Sequence, residues 1–303
     1  MTNTQEQQAA AAESAPAAAD PRPGRVALWV LGAAAVLSVA GVAYSLYAAI
    51  IGTFGRLDDT GVVLLANSLF SPIIVTVFAG AALGTVAARA LKGPRPALVM
   101  LGALVTGLAS GAASYVIFLS NGPVALSTAL VLLGAGLVGG LFALPRRAVT
   151  VVAGLSATLL LLAVMYARGI YEATSSVSLF SDPLDEYGAL GTAVPFIAGI
   201  ACGVCAFLYL RKQKAGVKLL GHLVAGALPG AIWLVSTVLA QIGVEVLLNV
   251  GLDEVAPLDE AFLALSFQWQ YNGSMTAMFA GALCAVFAYG FLLPKTPKAA
   301  KSS

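Results

Sequence analysis

Pro72-Ile-Ile-Val-Thr-Val-Phe-Ala-Gly80 returns 123 residues later as Pro195-Phe-Ile-Ala-Gly-Ile-Ala-Cys-Gly203, and reading this pair decides the fold. Each segment is an uncharged apolar run with a proline at its head and a glycine eight positions on. The correspondence spreads in both directions. At an offset of 122 to 123, Gly32 meets Gly154, Tyr44 meets Tyr166, Arg89 meets Lys212, Gly93 meets Gly216 and Gly107 meets Gly230. After an insertion, Asn121-Gly122 falls on Asn272-Gly273, and Phe-Ala-Leu-Pro-Arg (142–146) on Phe-Leu-Leu-Pro-Lys (291–295). Internal duplication of this kind is a common origin of membrane carriers.

Of the 303 residues, 59% are apolar and only 10% charged, far below the quarter or so of charged residues that a soluble surface needs. Apolar runs long enough to cross a bilayer recur along the chain. Eight are separable: about 26–51, 62–88, 97–119, 124–144, 148–170, 188–210, 219–247 and 273–293. The expected fold is an all-α membrane protein whose eight transmembrane helices form two parallel, same-orientation four-helix repeats, residues 25–147 and 148–294. With an even number of spans in each copy, the expected relation is a pseudo-two-fold axis along the membrane normal. Residues 1–24, rich in Ala, Gln and Pro, read as a disordered tail, and 295–303 as a short basic tail.

Charge placement sets the orientation. Of 16 Lys and Arg, all but Arg56 and Arg168 fall in the tails and in the loops after even-numbered spans. Positive charge in short loops marks the cytoplasmic face, so both termini are expected inside, in a plasma membrane of bacterial type. Eleven of the 14 acids lie on the other side, so the net charge of +2 hides a separation of sign and points to no nucleic-acid partner.

The copies differ most at an insertion of about 244–271. Asp259 and Glu260 suit a helix N-terminus, and Phe262, Leu265 and Trp269 would share one face, so the expectation is a short helix lying on the outer membrane surface. Acidic pairs also precede the second span of each copy, at Asp58-Asp59 and Asp185-Glu186, where carboxylates oppose the helix dipole.

Familiar chemical motifs dissolve on inspection. Cys202-Gly-Val-Cys205 has redox or metal spacing, but its repeat counterparts are Ala79 and Ala82, which marks the cysteines as small packing residues. Gly134-Ala-Gly-Leu-Val-Gly139 fits a dinucleotide fingerprint on paper yet lies inside a span, without the preceding strand. Glycines four apart, such as Gly80/Gly84, Gly136/Gly140, Gly199/Gly203 and Gly226/Gly230, fit close helix contact in lipid instead. The one histidine, His222, reads as an interfacial residue and has no nucleophile or second ligand beside it. No catalytic residue, metal site or cofactor is expected, and the chain is not read as an enzyme.

Polar residues inside spans cost free energy unless they face protein or water. Asn67, Ser71, Tyr166, Arg168, Gln241 and Glu245 cluster toward the outer ends and are the candidate substrate pathway. A weaker stripe, Thr106, Ser110 and Ser114, runs along the third span. Pro72, Pro195 and Pro229 are candidate helix kinks, because proline frees a backbone carbonyl that carriers use for ligands. The leading expectation is a carrier or permease for a neutral or amphipathic, lipid-like solute. The alternative is an accessory or assembly subunit, docking a membrane-protein partner or a second copy through glycine-rich faces and the acidic insertion.

Overall fold

A computed structural model describes residues 23–52, 59–145, 147–174, 183–214, 216–252 and 255–292. The two tails and the acidic residue Asp58 lie outside these. Among the described residues there are nine α-helices and no strand. They are α1 (Arg25–Gly52), α2 (Asp59–Ser68), α3 (Phe70–Ala90), α4 (Arg95–Ile117), α5 (Gly122–Ala143), α6 (Ala148–Thr174), α7 (Pro183–Lys212), α8 (Leu219–Gly251) and α9 (Pro257–Leu292). With α2 and α3 taken as one span, eight helical segments are long and apolar enough to cross a membrane. A hydrocarbon core of about 30 Å needs only about 20 helical residues.

Proline explains the break between α2 and α3. Pro72 has no N–H to offer the carbonyl of Ser68, four residues back, and its ring crowds that carbonyl. The chain tightens there: the Leu69 amide bonds the Ala66 carbonyl at 3.2 Å, a three-residue turn, and α3 restarts with Ile73 bonding Leu69. Pro195 and Pro229, by contrast, sit inside α7 and α8 without interrupting them.

Small residues set how closely the helices pack. A Cβ on Gly80 of α3 would fall onto the Gly136 carbonyl of α5, and one on Gly107 of α4 would lie 2.6 Å from the Leu133 carbonyl. In the second half, a Cβ on Gly203 of α7 would lie 2.5 Å from the Gly281 carbonyl of α9, and one on Gly230 of α8 would strike Met278. Backbones this close gain dispersion contacts that larger side chains would prevent. Gly281 thus stands in α9 where Gly136 stands in α5, 145 residues apart. Packing therefore places α9 out of the register that pairs Asn121-Gly122 with Asn272-Gly273.

The insertion is not a separate surface helix. Pro257–Leu292 forms one helix of 36 residues, and α8 continues for 33 residues to Gly251. At 1.5 Å per residue these span about 54 and 50 Å. Asn272-Gly273 aligns with Asn121-Gly122, where the chain turns between α4 and α5, but here the helix runs through, and Gly273 makes room for Trp233. A Cβ there would sit 2.9 Å from the indole. Asp259 and Glu260 do occupy the first turn of α9.

Within the first half, α1 packs on α3 and α4, and α3 and α4 pack on each other and on α5. Within the second, α6 packs on α7 and α8, and α7 and α8 pack on each other and on α9. The contact between the halves is one-sided. α8 packs on α3 and α5, and α6 on α1 and α3, whereas among the described residues α4 has no extended contact with the second half. A two-fold axis would require the reciprocal contacts of α4 with α7 and α9. The helix contacts of the described residues therefore do not follow the expected pseudo-two-fold relation.

Replacing Gly136 with Leu should destabilise the bundle by about 3 kcal/mol or more, since its Cβ would lie 2.5 Å from the Gly107 Cα. Gly134→Leu, at a position with open space around it, should leave the thermal midpoint in mild detergent within a few degrees of wild type. Equal melting of the two variants would contradict this packing.

Candidate functional site: a cavity shared by both halves

Two cavities lie at the end of the bundle opposite the basic loops. The larger, about 630 Å³, is walled by Phe70, Ser71 and Ile74 of α3, Leu161, Met165 and Arg168 of α6, Gly191 and Pro195 of α7, Trp233 of α8, and Trp269 and Gln270 of α9. The smaller, about 280 Å³, lies among Ser45 and Leu46 of α1, Asn67 and Ser68 of α2, Phe70 and Ser71 of α3, and Leu263, Ser266 and Gln270 of α9. Phe70, Ser71, Ser266 and Gln270 line both, where the two adjoin.

Their depth follows from helix rise. About 20 residues above the basic end of α3 or α9 reach the far edge of a 30 Å hydrocarbon layer. That edge falls near residue 70 in α3, which ends at Ala90, and near residue 272 in α9, which ends at Leu292. Ser71 and Gln270 therefore stand at headgroup level. Leu161 and Trp233 lie roughly 10 Å deeper by the same rise, counted from the starts of α6 and α8 at Ala148 and Leu219.

Polar stripes face each other across this space. Asn67 and Ser71 are one turn apart on α2 and α3, and Ser266 and Gln270 one turn apart on α9. The side chains of Asn67, Ser71 and Ser266 have no hydrogen-bond partner among the described residues. Gln270 is oriented by Trp233, whose indole Nε1–H donates to Oε1 at 2.8 Å. Because the indole can only donate, the oxygen must face it, and the amide NH₂ is left for the cavity. At headgroup level these groups are open to water or to a ligand with hydrogen-bonding groups.

The prolines contribute here too. Ser68 lines the smaller cavity and Gly191 the larger, and these are the residues whose carbonyls lose their helical donors to Pro72 and Pro195. Pro229 is buried in α8 and lines neither cavity.

The sequence candidates therefore divide. Asn67, Ser71, Tyr166 and Arg168 line the cavities, as do Pro72 and Pro195. Gln241 and Glu245 do not. Tyr271 donates its hydroxyl to Gln241 Oε1 at 2.8 Å, and Gln241 Nε2 donates to Glu245 Oε1 at 3.4 Å, so this pair ties α8 to α9 on another face. Ser266, Gln270 and Trp233 went unnoticed in the sequence. The signal was a second polar pair one turn apart, hidden by the assignment of that stretch to a surface helix.

The remaining motifs sit in helix-packing contacts. Cys202 is buried and donates to the Ala157 carbonyl at 3.2 Å, joining α7 to α6, and all three cysteines are free thiols. His222 stands in the first turn of α8 beside the basic loop, is only 5% exposed, and packs between Phe207 and Tyr289. Ser114 donates to Thr128 Oγ1 at 2.8 Å, which assigns the third-span stripe to α4–α5 packing. Among the described residues no group of His, Cys, Asp and Glu is arranged to hold a metal ion.

The chain matches no family model, and neither curated proteins nor solved structures give a significant match. The cavities carry the functional argument alone.

Trp233→Phe keeps the ring and removes the bond that orients Gln270, so it should cost about 1 kcal/mol of stability, read as a lower thermal midpoint. Adding Gln270→Leu to Trp233→Phe should cost little more, because the pair is then already broken. Additive losses would show that the two side chains act independently.

Proposed function

We propose that this protein is a plasma-membrane carrier for a neutral or amphipathic, lipid-like solute, and that the larger cavity is its binding site. The observation that carries this reading is a space of about 630 Å³ at the junction of the halves, apolar at depth and polar at its rim. Pockets of this size and character are usual for small-molecule ligands. Arg168 is the one side chain charged at neutral pH among the described residues lining it, which suits an uncharged or weakly polar solute better than an ion.

The two halves are read as duplicated four-helix units. The matching helix neighbours in each half and the equivalent glycine contacts support that reading. Both termini lie in the cytoplasm, as the basic loops indicate, so the cavities open toward the outer leaflet. Movement of the second unit against the first, across the α3–α6 and α3–α8 contacts, would alter access to the cavity. The chain is read as a binding and transfer protein without metal, cofactor or catalytic group.

The accessory-subunit alternative draws on one feature. α8 and α9 are both longer than the bilayer requires, and Leu258, at the start of α9, is 80% exposed. If the hairpin docks a protein, Leu258→Glu should release a stoichiometric partner from the purified complex.

For the carrier reading, the wild-type protein extracted from its native membrane should carry a bound small molecule or lipid detectable by mass spectrometry. Leu161→Trp, which fills the deep end of the cavity, should reduce that occupancy at least tenfold. Undiminished occupancy would remove the cavity as the site. Orientation is checked by a membrane-impermeant thiol reagent on a cysteine at position 67 or 214 of the cysteine-free protein in intact cells. Labelling at 67 alone is expected, and labelling at 214 would invert the topology.

A further inference from the structure

We infer that the smaller cavity is a headgroup site for a polyhydroxylated, uncharged headgroup, a sugar or polyol, whose apolar chain occupies the larger cavity. This rests on the amphipath reading above and adds the chemical class of the ligand.

Three features of the geometry converge on it. The cavities adjoin at Phe70, Ser71, Ser266 and Gln270, which line both, and the proposed ligand lies across that shared edge. The shared edge stands at headgroup level by helix rise, and the larger cavity descends from it toward Leu161 and Trp233. Depth alone therefore orders the ligand, with its polar end at the shared edge and its chain below. Finally, the smaller cavity presents only uncharged hydrogen-bonding side chains among its described lining residues.

That set is selective in kind. Asn67 offers a carbonyl and two N–H donors, Ser71 and Ser266 each donate and accept, and Gln270 offers the NH₂ that Trp233 leaves over. Hydroxyl groups match such a mixture because each also donates and accepts. A phosphate offers only acceptors and would leave the Asn67 carbonyl without a donor, and a quaternary amine offers neither donor nor acceptor. A headgroup that leaves one of these groups without a partner forgoes a bond that hydroxyls would make, which favours the matching headgroup.

The experiment uses the full-length protein in nanodiscs of phosphatidylcholine. The probes are a monoglucosyl diacylglycerol, phosphatidylglycerol with the same chains, and free glucose, and retained ligand is read by native mass spectrometry. The wild type should retain the glycolipid at least tenfold over phosphatidylglycerol and should not retain glucose. Gln270→Leu and, separately, Asn67→Leu should each lower glycolipid retention about tenfold, one hydrogen bond's worth, and leave phosphatidylglycerol unchanged. Asn67 has no protein partner, so its variant guards against loss of folding as the cause.

Glycolipid retention unaffected by both variants, or a preference for phosphatidylglycerol, would overturn the headgroup assignment and leave the amphipath reading standing. Retention of free glucose as strongly as the glycolipid would overturn the lipid part of the proposal. Failure of the wild type to retain any probe would overturn this assignment, and loss of all co-purifying ligand would overturn the carrier reading with it.

Discussion

Close approach of helix backbones through glycine is the constraint on which this bundle depends. In lipid the apolar side chains gain nothing by leaving their solvent, so helices associate where shapes fit. Gly80 against Gly136, Gly107 against Leu133, Gly203 against Gly281 and Gly230 against Met278 supply that fit in both halves. By helix rise these contacts lie near the middle of the spans, about 10 to 18 Å from the basic ends. Toward the other end the interface is occupied by bulk, with Phe70, Trp233, Phe267 and Trp269 spacing the helices apart. Tight packing below and bulk above leave cavities at one end.

Much of this was legible in the sequence because bilayer thickness is a severe filter. Eight apolar runs of sufficient length became eight spanning segments, and the kink at Pro72 appeared as a break at Leu69. The glycine pairs read as contacts proved to be contacts, and Cys202 proved to be a packing residue. What failed has a common cause: local signals were judged without their tertiary neighbours. Asn272-Gly273 aligns with the turn at Asn121-Gly122, yet here the helix runs through, and Gly273 makes room for Trp233. Once that turn is removed, α9 becomes one rod, and Ser266 and Gln270 rotate onto the cavity wall. The same blindness grouped Gln241 and Glu245 with Asn67, since periodicity places residues on a face but not on which neighbour the face looks.

The arrangement of the halves was the largest departure from expectation. Duplication suggests symmetry, but symmetry of sequence need not become symmetry of contact. Here α8 and α6 carry the second half's side of the interface, while α4, which the sequence alignment pairs with α8, has no extended contact across it among the described residues. The cavity accordingly draws one wall from the first unit and the rest from the second.

The interruption at Leu69 makes one span serve two bodies. Below it, α3 packs on α4 and α5 and belongs to the first unit; above it, α2 packs chiefly on α8. A single covalent rod therefore crosses the mechanical seam between the units, with its weakest hydrogen bonding at the crossing. A change of angle at that joint would alter the spacing of Asn67 and Ser71. The stripe that faces α9 is thus jointed, and its two polar groups can part company without either helix unwinding.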